Sequence, residues 1–324
     1  MLLRDKYIPK KFQDSFFHKD TIKRLHRVSE VDTFCNMFIY GHSGCGKYTL
    51  TLMLLQSIYG DSIYNRKTKE LLLNNGKTIE LIASNYHYEI YFNENYCYED
   101  SSINQFLKEI CKTKSIINNN YKIIVLKNIE FLSKETYQII KMINEKYYDN
   151  VKFILLSQSL NNVPSYLKGF FFFMRIQIPK MLDIQEFFWN IVKKEKIEIA
   201  KKELESIVNK ENNINSVFLH LDLAILKPGV SFESPLELKK RTLVTEIKKK
   251  RILEVRKILY DIISHNISKQ SLILDLTYMW LEGLNDDAER CALLEFAGKI
   301  MVRLNKSYKN MYHLEYFVME LMNY

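Results

Sequence analysis

The 324-residue chain contains no run of 18 apolar residues, so it offers no candidate for a membrane-spanning helix and predicts no membrane partner. The most conspicuous apolar cluster, Phe170 to Phe173, is too short to cross a bilayer and reads as a buried strand. The first residues (MLLRDKYIPKK) lack the apolar core of a signal peptide. Cysteine is scarce: Cys35, Cys45, Cys97, Cys111 and Cys291 stand apart with no paired spacing. That pattern excludes a zinc motif and predicts reduced thiols in an intracellular protein. Glycine is scarce too, with nine in all, which makes their placement informative.

Three of those nine fall within six positions: Gly41, Gly44 and Gly46. They follow a short apolar run (Met37, Phe38, Ile39, Tyr40) and precede a helical pattern (Leu50, Leu52, Met53, Leu54, Leu55). Strand, glycine-rich turn and helix form the context in which G-x-x-x-x-G-K is a phosphate-binding loop. Glycines let backbone N–H groups curl around an anion, and the helix N-terminus adds partial positive charge. The predicted nucleotide contacts are Gly41, His42, Ser43, Gly44, Cys45, Gly46, Lys47, Tyr48 and Thr49, with Lys47 reaching the terminal phosphates. Cys45 reads either as a reactive thiol or as a small filler. One position departs from the motif. The residue after the lysine is normally Ser or Thr, whose hydroxyl binds Mg²⁺; here it is Tyr48, with Thr49 one place late. A phenol does not suit that coordination position, so the sequence predicts bound nucleotide with doubtful Mg²⁺ and no other metal.

Length predicts two or three domains, and 47% hydrophobic content is enough for a sizeable core. The net charge of +9 fits a nucleic-acid partner held through phosphate contacts; a coding bias that inflates lysine fits it equally well. Residues 19–30 read as a helix, and 60–78 as a polar, Asn-rich insertion. Strands are predicted at 79–84, 122–126, 152–156 and 170–178, and helices at 101–113 and 133–147, the second with a Ser cap. This alternation implies a parallel α/β sheet. Residues 183–226 read as a small helical unit, Pro228-Gly229 and Pro235 as a linker, and 236–324 as all helical. The stripes Ile252, Val255, Ile258, Leu259, Ile262, Ile263 and Met311, Leu314, Phe317, Val318, Leu321 read as core. The basic run Lys248–Arg251 reads as a solvated helix face.

Several segments, in order along nearly the whole chain, resemble the small subunits of replication factor C, the eukaryotic sliding-clamp loader. They are DKYIP at 5–9, His18-Lys19, YGHSGCGKYT at 40–49, ASNYHYE at 83–89, EKY at 145–147, LEVRKILYDIISH at 253–265 and YHLEYFV at 312–318. The resemblance is closest to the nucleotide-binding, non-hydrolysing subunit at the E position of the arc. It implies an AAA+ P-loop α/β domain with a parallel sheet (1–178), a helical lid (179–228) and an all-α collar (229–324) that holds subunits together. It adds Tyr7 and Pro9 to the nucleotide contacts. It implies four other replication factor C subunits, the sliding clamp (PCNA) and primer–template DNA as partners. It also implies a nuclear location, or a viral replication compartment for a viral source.

Position by position, the resemblance implies a degenerate catalytic centre. The active subunits carry Asp-Glu-Ala-Asp after an apolar strand, and here the strand KIIVL leads into Lys127, Asn128, Ile129 and Glu130. Lys127 replaces the metal-binding acid and Asn128 the catalytic Glu, leaving Glu130 as a structural acid. Gln158 stands at the sensor position and Asn215 at the lid sensor arginine. The segment that carries the arginine finger reads Lys168-Gly169-Phe170, with Arg175 at the end of the next strand. Phe106 and Ile110 are candidate clamp contacts or core residues. Lys141 is the remaining candidate DNA contact. The sequence therefore predicts a chain that binds ADP or ATP as a structural ligand and hydrolyses neither. Two alternatives stay open: an active ATPase in which Thr49 and Glu130 take over, and a nucleotide-free scaffold of the same architecture.

Overall fold

The structure is a computed structural model describing residues 2–31, 34–72, 78–92, 107–108, 110–111, 121–161, 163–197, 199–210, 213–226, 235–264, 269–284, 286–306 and 310–322. The chain divides into two compact units, Met1–Val230 and Ser231–Tyr324.

The first unit opens with a short helix α1 (Leu3–Tyr7) and α2 (Lys19–Ser29), then β1 (Met37–Tyr40) and α3 (Lys47–Tyr59). There follow β2 (Lys67–Leu72), β3 (Thr78–Ala83), β4 (His87–Tyr91), β5 (Lys122–Lys127), α4 (Lys134–Lys146), β6 (Val151–Ser157) and β7 (Phe172–Arg175). The seven strands form one sheet in the order β2-β3-β4-β5-β6-β1-β7. From β4 to β7 every pairing is parallel. The pairings of β2 with β3 and of β3 with β4 are antiparallel.

The strand alternation explains why the central strands read as unbroken apolar runs. Phe38, Ile124, Leu126, Phe153 and Leu155 face one core, under Tyr137, Ile140 and Ile143 of α4. Met37, Ile39, Ile123, Val125, Ile154 and Leu156 face the other, under Leu50, Met53 and Leu54 of α3 and Ile22 and Leu25 of α2. A sheet covered on both faces leaves no strand position for a polar residue without a partner.

The expected parallel sheet is thus the central layer of a mixed one, and two strands were not foreseen. Lys67–Leu72 was assigned to a polar insertion, yet it pairs with β3 as an antiparallel edge. The parallel neighbour of β5 is β4, His87–Tyr91, not the apolar segment 79–84. Buried His87 and Glu89 hide β4 from any search for apolar alternation. The run Phe170–Phe173 is not one buried strand. It spans the end of a 3-10 turn (Ser165–Phe170) and the start of edge strand β7, so Phe172 is 48% exposed while Phe171 is buried. In the expected helix 101–113, Leu107, Lys108, Ile110 and Cys111 are helical, and Ile110 is buried in the first core; Phe106 lies outside the described residues. Ser133 caps α4 as expected, its hydroxyl accepting from Thr136 N at 3.1 Å.

Behind the sheet come α5 (Met181–Glu195), α6 (Lys201–Lys210) and α7 (Ile214–Leu226). They share a core of Phe188, Ile191, Val208, Val217 and Leu221, into which Leu3 of α1 inserts. The Leu3 N–H also donates to Asp222 Oδ1 at 2.9 Å. The second unit holds α8 (Pro235–Lys248), α9 (Ile252–Ser264), α10 (Lys269–Leu281), α11 (Asp287–Lys306) and α12 (Asn310–Leu321). Val255, Leu259, Ile262, Leu314, Phe317, Val318 and Leu321 are buried in its core, as the stripes predicted, but Ile252 is 53% exposed at the start of its helix. The basic run does not form a helix face: Lys248 ends α8, and residues 249–251 make the turn to α9, with Lys250 in the left-handed region at φ 56°.

One buried amide ties three elements of the sheet layer together. Asn36 Oδ1 accepts from Phe153 N of β6 at 2.8 Å, its Nδ2 donates to Asn144 Oδ1 of α4 at 2.5 Å, and its carbonyl accepts from Phe172 N of β7 at 2.8 Å. Asn36→Ala strands a buried N–H and a buried amide oxygen, at a cost of about 2–3 kcal/mol. The expected outcome is an earlier urea unfolding transition of the first unit, followed by circular dichroism.

Candidate functional site

The loop between β1 and α3 needs its glycines for three separate reasons. Gly44 and Gly46 sit at φ 75° and 91°, where a side chain is strained. A Cβ on Gly41 would lie 2.3 Å from the Ile176 carbonyl oxygen, and one on Gly44 would lie 2.0 Å from Asn213 Oδ1. The loop is therefore pressed between β7's exit and the start of α7. Asn213 also accepts from Asn215 N at 3.0 Å, capping α7 beside the loop.

These elements enclose a cavity of about 400 Å³. Of the sequence-predicted contacts, Tyr7, Pro9, Ser43, Gly44, Cys45, Gly46, Lys47, Tyr48 and Thr49 line it, and Asn128 and Asn215 join them. Gly41, His42, Lys127 and Gln158 do not line it. Gly41 packs under the loop, and the His42 side chain is exposed. Gln158 is exposed as well; its backbone N–H donates to Glu130 Oε2 at 3.4 Å, beside the 2.8 Å bond from Ser157 Oγ. Glu130 thus braces the end of β6.

The lining of the cavity combines apolar and aromatic side chains, Ile8, Phe16, Phe17, Phe187 and Phe218, with the loop residues. Tyr7 contributes its ring, while its hydroxyl donates to Glu195 Oε1 at 2.5 Å. Burial and the Glu195 carboxylate push its pKa up to about 12, so it stays a phenol. Lys47 folds back onto the loop, donating to the Gly41 and His42 carbonyls at 2.7 and 2.8 Å. Burial pulls its pKa below the ordinary lysine value. His18, itself left-handed at φ 61°, donates from Nε2 to the Cys45 carbonyl at 2.9 Å and so braces the loop from the N-terminal side. The Cys45 thiol is 1% exposed and burial raises its pKa; a protonated, covered sulfur is a filler, not a nucleophile.

Behind Tyr48 lies a cluster that residue spacing did not suggest. Glu89 on β4 is 1% exposed, and each of its oxygens takes two donors. Oε1 accepts from His87 Nε2 at 2.9 Å and Arg66 Nη1 at 3.2 Å. Oε2 accepts from Lys127 Nζ at 2.6 Å and the Tyr48 hydroxyl at 2.8 Å. Arg66 also donates to the Tyr48 hydroxyl at 2.6 Å. The Lys127 ammonium lies 3.8 Å from the centre of the Tyr48 ring, a cation–π contact. Ser84 Oγ meets His87 Nδ1 at 2.7 Å and orients that imidazole. Strand parity assembles the cluster: Lys127 follows Ile123 and Val125 onto the sheet face that α3 covers.

Burial disfavours a charged Glu89. The His87 bond and the charge and bond of Lys127, with the Tyr48 bond, outweigh it and hold its carboxyl well below the usual range. Burial, then the Glu89 charge, keep the Tyr48 phenol protonated. Lys127 is pulled down by burial while Glu89 opposes; with the carboxylate ionised at 2.6 Å, the pair is a charged one.

These residues do not fit Mg²⁺. That ion needs near-octahedral oxygen ligands at about 2.0–2.1 Å. Here the position after the loop lysine holds a phenol already engaged with Glu89 and Arg66, and the Glu89 carboxylate beside it is taken up by the Lys127 ammonium. Among the described residues, no group of three His, Cys, Asp or Glu side chains could hold a metal ion.

Comparison with known proteins agrees with this architecture. Residues 237–324 match the family model described as replication factor C subunit 3, C-terminal domain. Replication factor C subunit 5 of Neurospora crassa is 24% identical over 99% of this chain and 96% of that protein. The human replication factor C subunit 3 is 24% identical over 98% and 94%. Along nearly its whole length the chain is similar to replication factor C small subunits. A DNA polymerase III gamma subunit-related protein of Thermotoga maritima shares the fold, with a TM-score of 0.52 and 14% identity over 93% of this chain and 98% of that one.

Of the residues that build this site, Arg66, His87, Glu89, Asn213 and His18 were not singled out by their chemistry in the sequence. The H-x-E spacing at 87 and 89, two polar residues on one face of a strand, is the one local signal that could have raised the first of these contacts. Because the Glu89 pKa is depressed on folding, the stability it contributes is full above the ordinary glutamate range and is lost as pH falls below about 4–5. Urea unfolding of the parent therefore weakens through that window more steeply than that of Glu89→Gln. Matching acid profiles for the two would contradict the charged state of Glu89.

Proposed function

We propose that this chain is a nucleotide-holding, non-hydrolysing small subunit of a replication factor C clamp loader, occupying the E position. In that role it is not an enzyme by itself. It would be a fixed member of an ATP-driven assembly that loads the sliding clamp (PCNA) onto primer–template DNA in replication and repair. Its partners would be four other replication factor C subunits, joined through the helical second unit. Its site of action would be the nucleus, or a viral replication compartment for a viral source.

The observation that carries this reading is the Lys127–Glu89 ion pair closed by Tyr48. Phosphoryl transfer to water needs a metal on the β- and γ-oxygens and a group that orients the attacking water. By the resemblance, Lys127 and Tyr48 would occupy the positions of the metal ligands and Asn128 that of the catalytic Glu; Asn128 is left-handed at φ 57° and lines the cavity. An amide neither takes a proton from water nor holds a cation well. The aromatic side chains and the loop still offer a nucleoside and a phosphate end. A second reading, a nucleotide-free scaffold, is favoured by Lys47, whose ammonium is already satisfied by two loop carbonyls.

Thermal unfolding with and without ADP separates the two. At 100 times its dissociation constant a ligand stabilises by about 2.7 kcal/mol, so the expected outcome is a clear rise in Tm that Lys47→Ala abolishes; no rise in the parent favours the scaffold. Incubation with ATP is expected to release no phosphate, and turnover that disappears in Lys47→Ala would overturn the non-hydrolysing reading.

DNA contact would be slight. Lys141 is half-exposed on α4 and already pairs with Glu145 at 3.7 Å, with exposed Met142 beside it. In the assembled complex, Lys141→Ala is expected to lower the salt slope of DNA binding by about one; an unchanged slope would remove Lys141 from the contact.

A further inference from the structure

We infer that the Tyr48–Arg66–Glu89–Lys127 cluster is a built-in replacement for the divalent cation, so that this chain holds its nucleotide without Mg²⁺. The inference rests on the nucleotide-holding reading above and adds the ionic form of the ligand: free nucleoside diphosphate, not its magnesium complex.

Charge is the first argument. In a working site Mg²⁺ brings two positive charges and its acidic ligand one negative charge, leaving about one net positive charge behind the phosphates. Here Arg66 and Lys127 bring two positive charges against the single negative charge of Glu89. The residual charge is the same, but it is covalently part of the chain. Tyr48 lines the cavity, and the Lys127 ammonium sits 3.8 Å from the centre of its ring. The replacement charge therefore acts through one aromatic layer instead of by coordination. In a buried setting the field of such a charge is screened far less than in water.

Geometry is the second argument. Lys127 is not free to swing onto the phosphates. Glu89 anchors its Nζ at 2.6 Å, and Arg66 and His87 hold the other carboxylate oxygen in place. For a metal ion to enter, Glu89 would have to release Lys127, and the Tyr48 hydroxyl would have to leave both Glu89 and Arg66. Breaking a buried ion pair costs more than a divalent ion recovers from a phenol and an amide. The cluster thus fills the metal position sterically and replaces it electrostatically.

Isothermal titration of the full chain with ADP, once in magnesium and once in excess chelator, tests this. The expected result is binding no tighter with magnesium than with chelator. Binding tightened by about tenfold or more in magnesium would overturn the inference while leaving the nucleotide-holding reading intact. No binding in either buffer would overturn that reading and the inference with it. Lys127→Met then tests the cluster itself. It removes the charge while Arg66, His87 and Tyr48 still serve Glu89. The expected result is ADP affinity lowered by about tenfold in chelator, with a smaller loss in magnesium. Parent-like affinity in both buffers would mean that the cluster is not the source of metal independence. Should Lys127→Met fail to fold, Arg66→Met removes the same unit of charge from the more exposed side of the cluster, with the same expected and overturning results.

Discussion

A carboxylate that is 1% exposed must be neutralised or it unfolds what surrounds it, and Glu89 is such a carboxylate. Its four donors come from β4, the segment leading into β2, β5 and α3. Satisfying it therefore fixes four pieces of chain that are distant in sequence. The antiparallel edge is drawn against the loop helix through Arg66. The end of β5 is locked against Tyr48. The cavity beside the loop has Tyr48 in its lining, and this cluster holds Tyr48 in place. A buried pair of this kind contributes little net stability over a well-packed apolar substitute, but it is costly to break.

The rest of the first unit follows from more ordinary forces. Strands covered on both faces alternate between two cores, Phe38 to one side and Met37 and Ile39 to the other. Asn36, just before β1, is buried as well, and it is tolerated because its side-chain oxygen and nitrogen and its carbonyl each have a bond partner. The loop after β1 is shaped by positive φ at Gly44 and Gly46 and by close approach at Gly41. Asn213 at the start of α7 presses on that same loop, so the helices after the sheet help to shape the cavity as well as to cover it.

Patterns that depend on neighbours along the chain were legible without coordinates. The glycine spacing, the apolar runs of β1, β5 and β6, the Ser133 cap and the stripes of α9 and α12 each express local geometry, and each was readable for that reason. The departures at Tyr48, Lys127 and Asn128 were legible too, because a motif states which residue type its chemistry requires. Strand β2 was missed because a solvent-edge strand such as KTKELL carries too few apolar residues to stand out, and β4 because its buried face is polar. Phe170–Phe173 misled in the opposite sense: four aromatic residues in a row do not make a buried strand when the strand lies at a sheet edge.

From residue types alone came the glycine-rich loop and the class of fold. Those are properties of single positions and short spacings. Folding alone decided which side chains meet beside the loop. By the resemblance Lys127 read as the replacement of an acid; in the structure it is committed to Glu89 and faces the Tyr48 ring. No spacing rule links residues 48, 66, 89 and 127, because their meeting depends on which strands are neighbours in the sheet and on which face each side chain emerges. The net charge of the cluster is a sum over those four residues, and only the packed sheet brings them close enough to be summed.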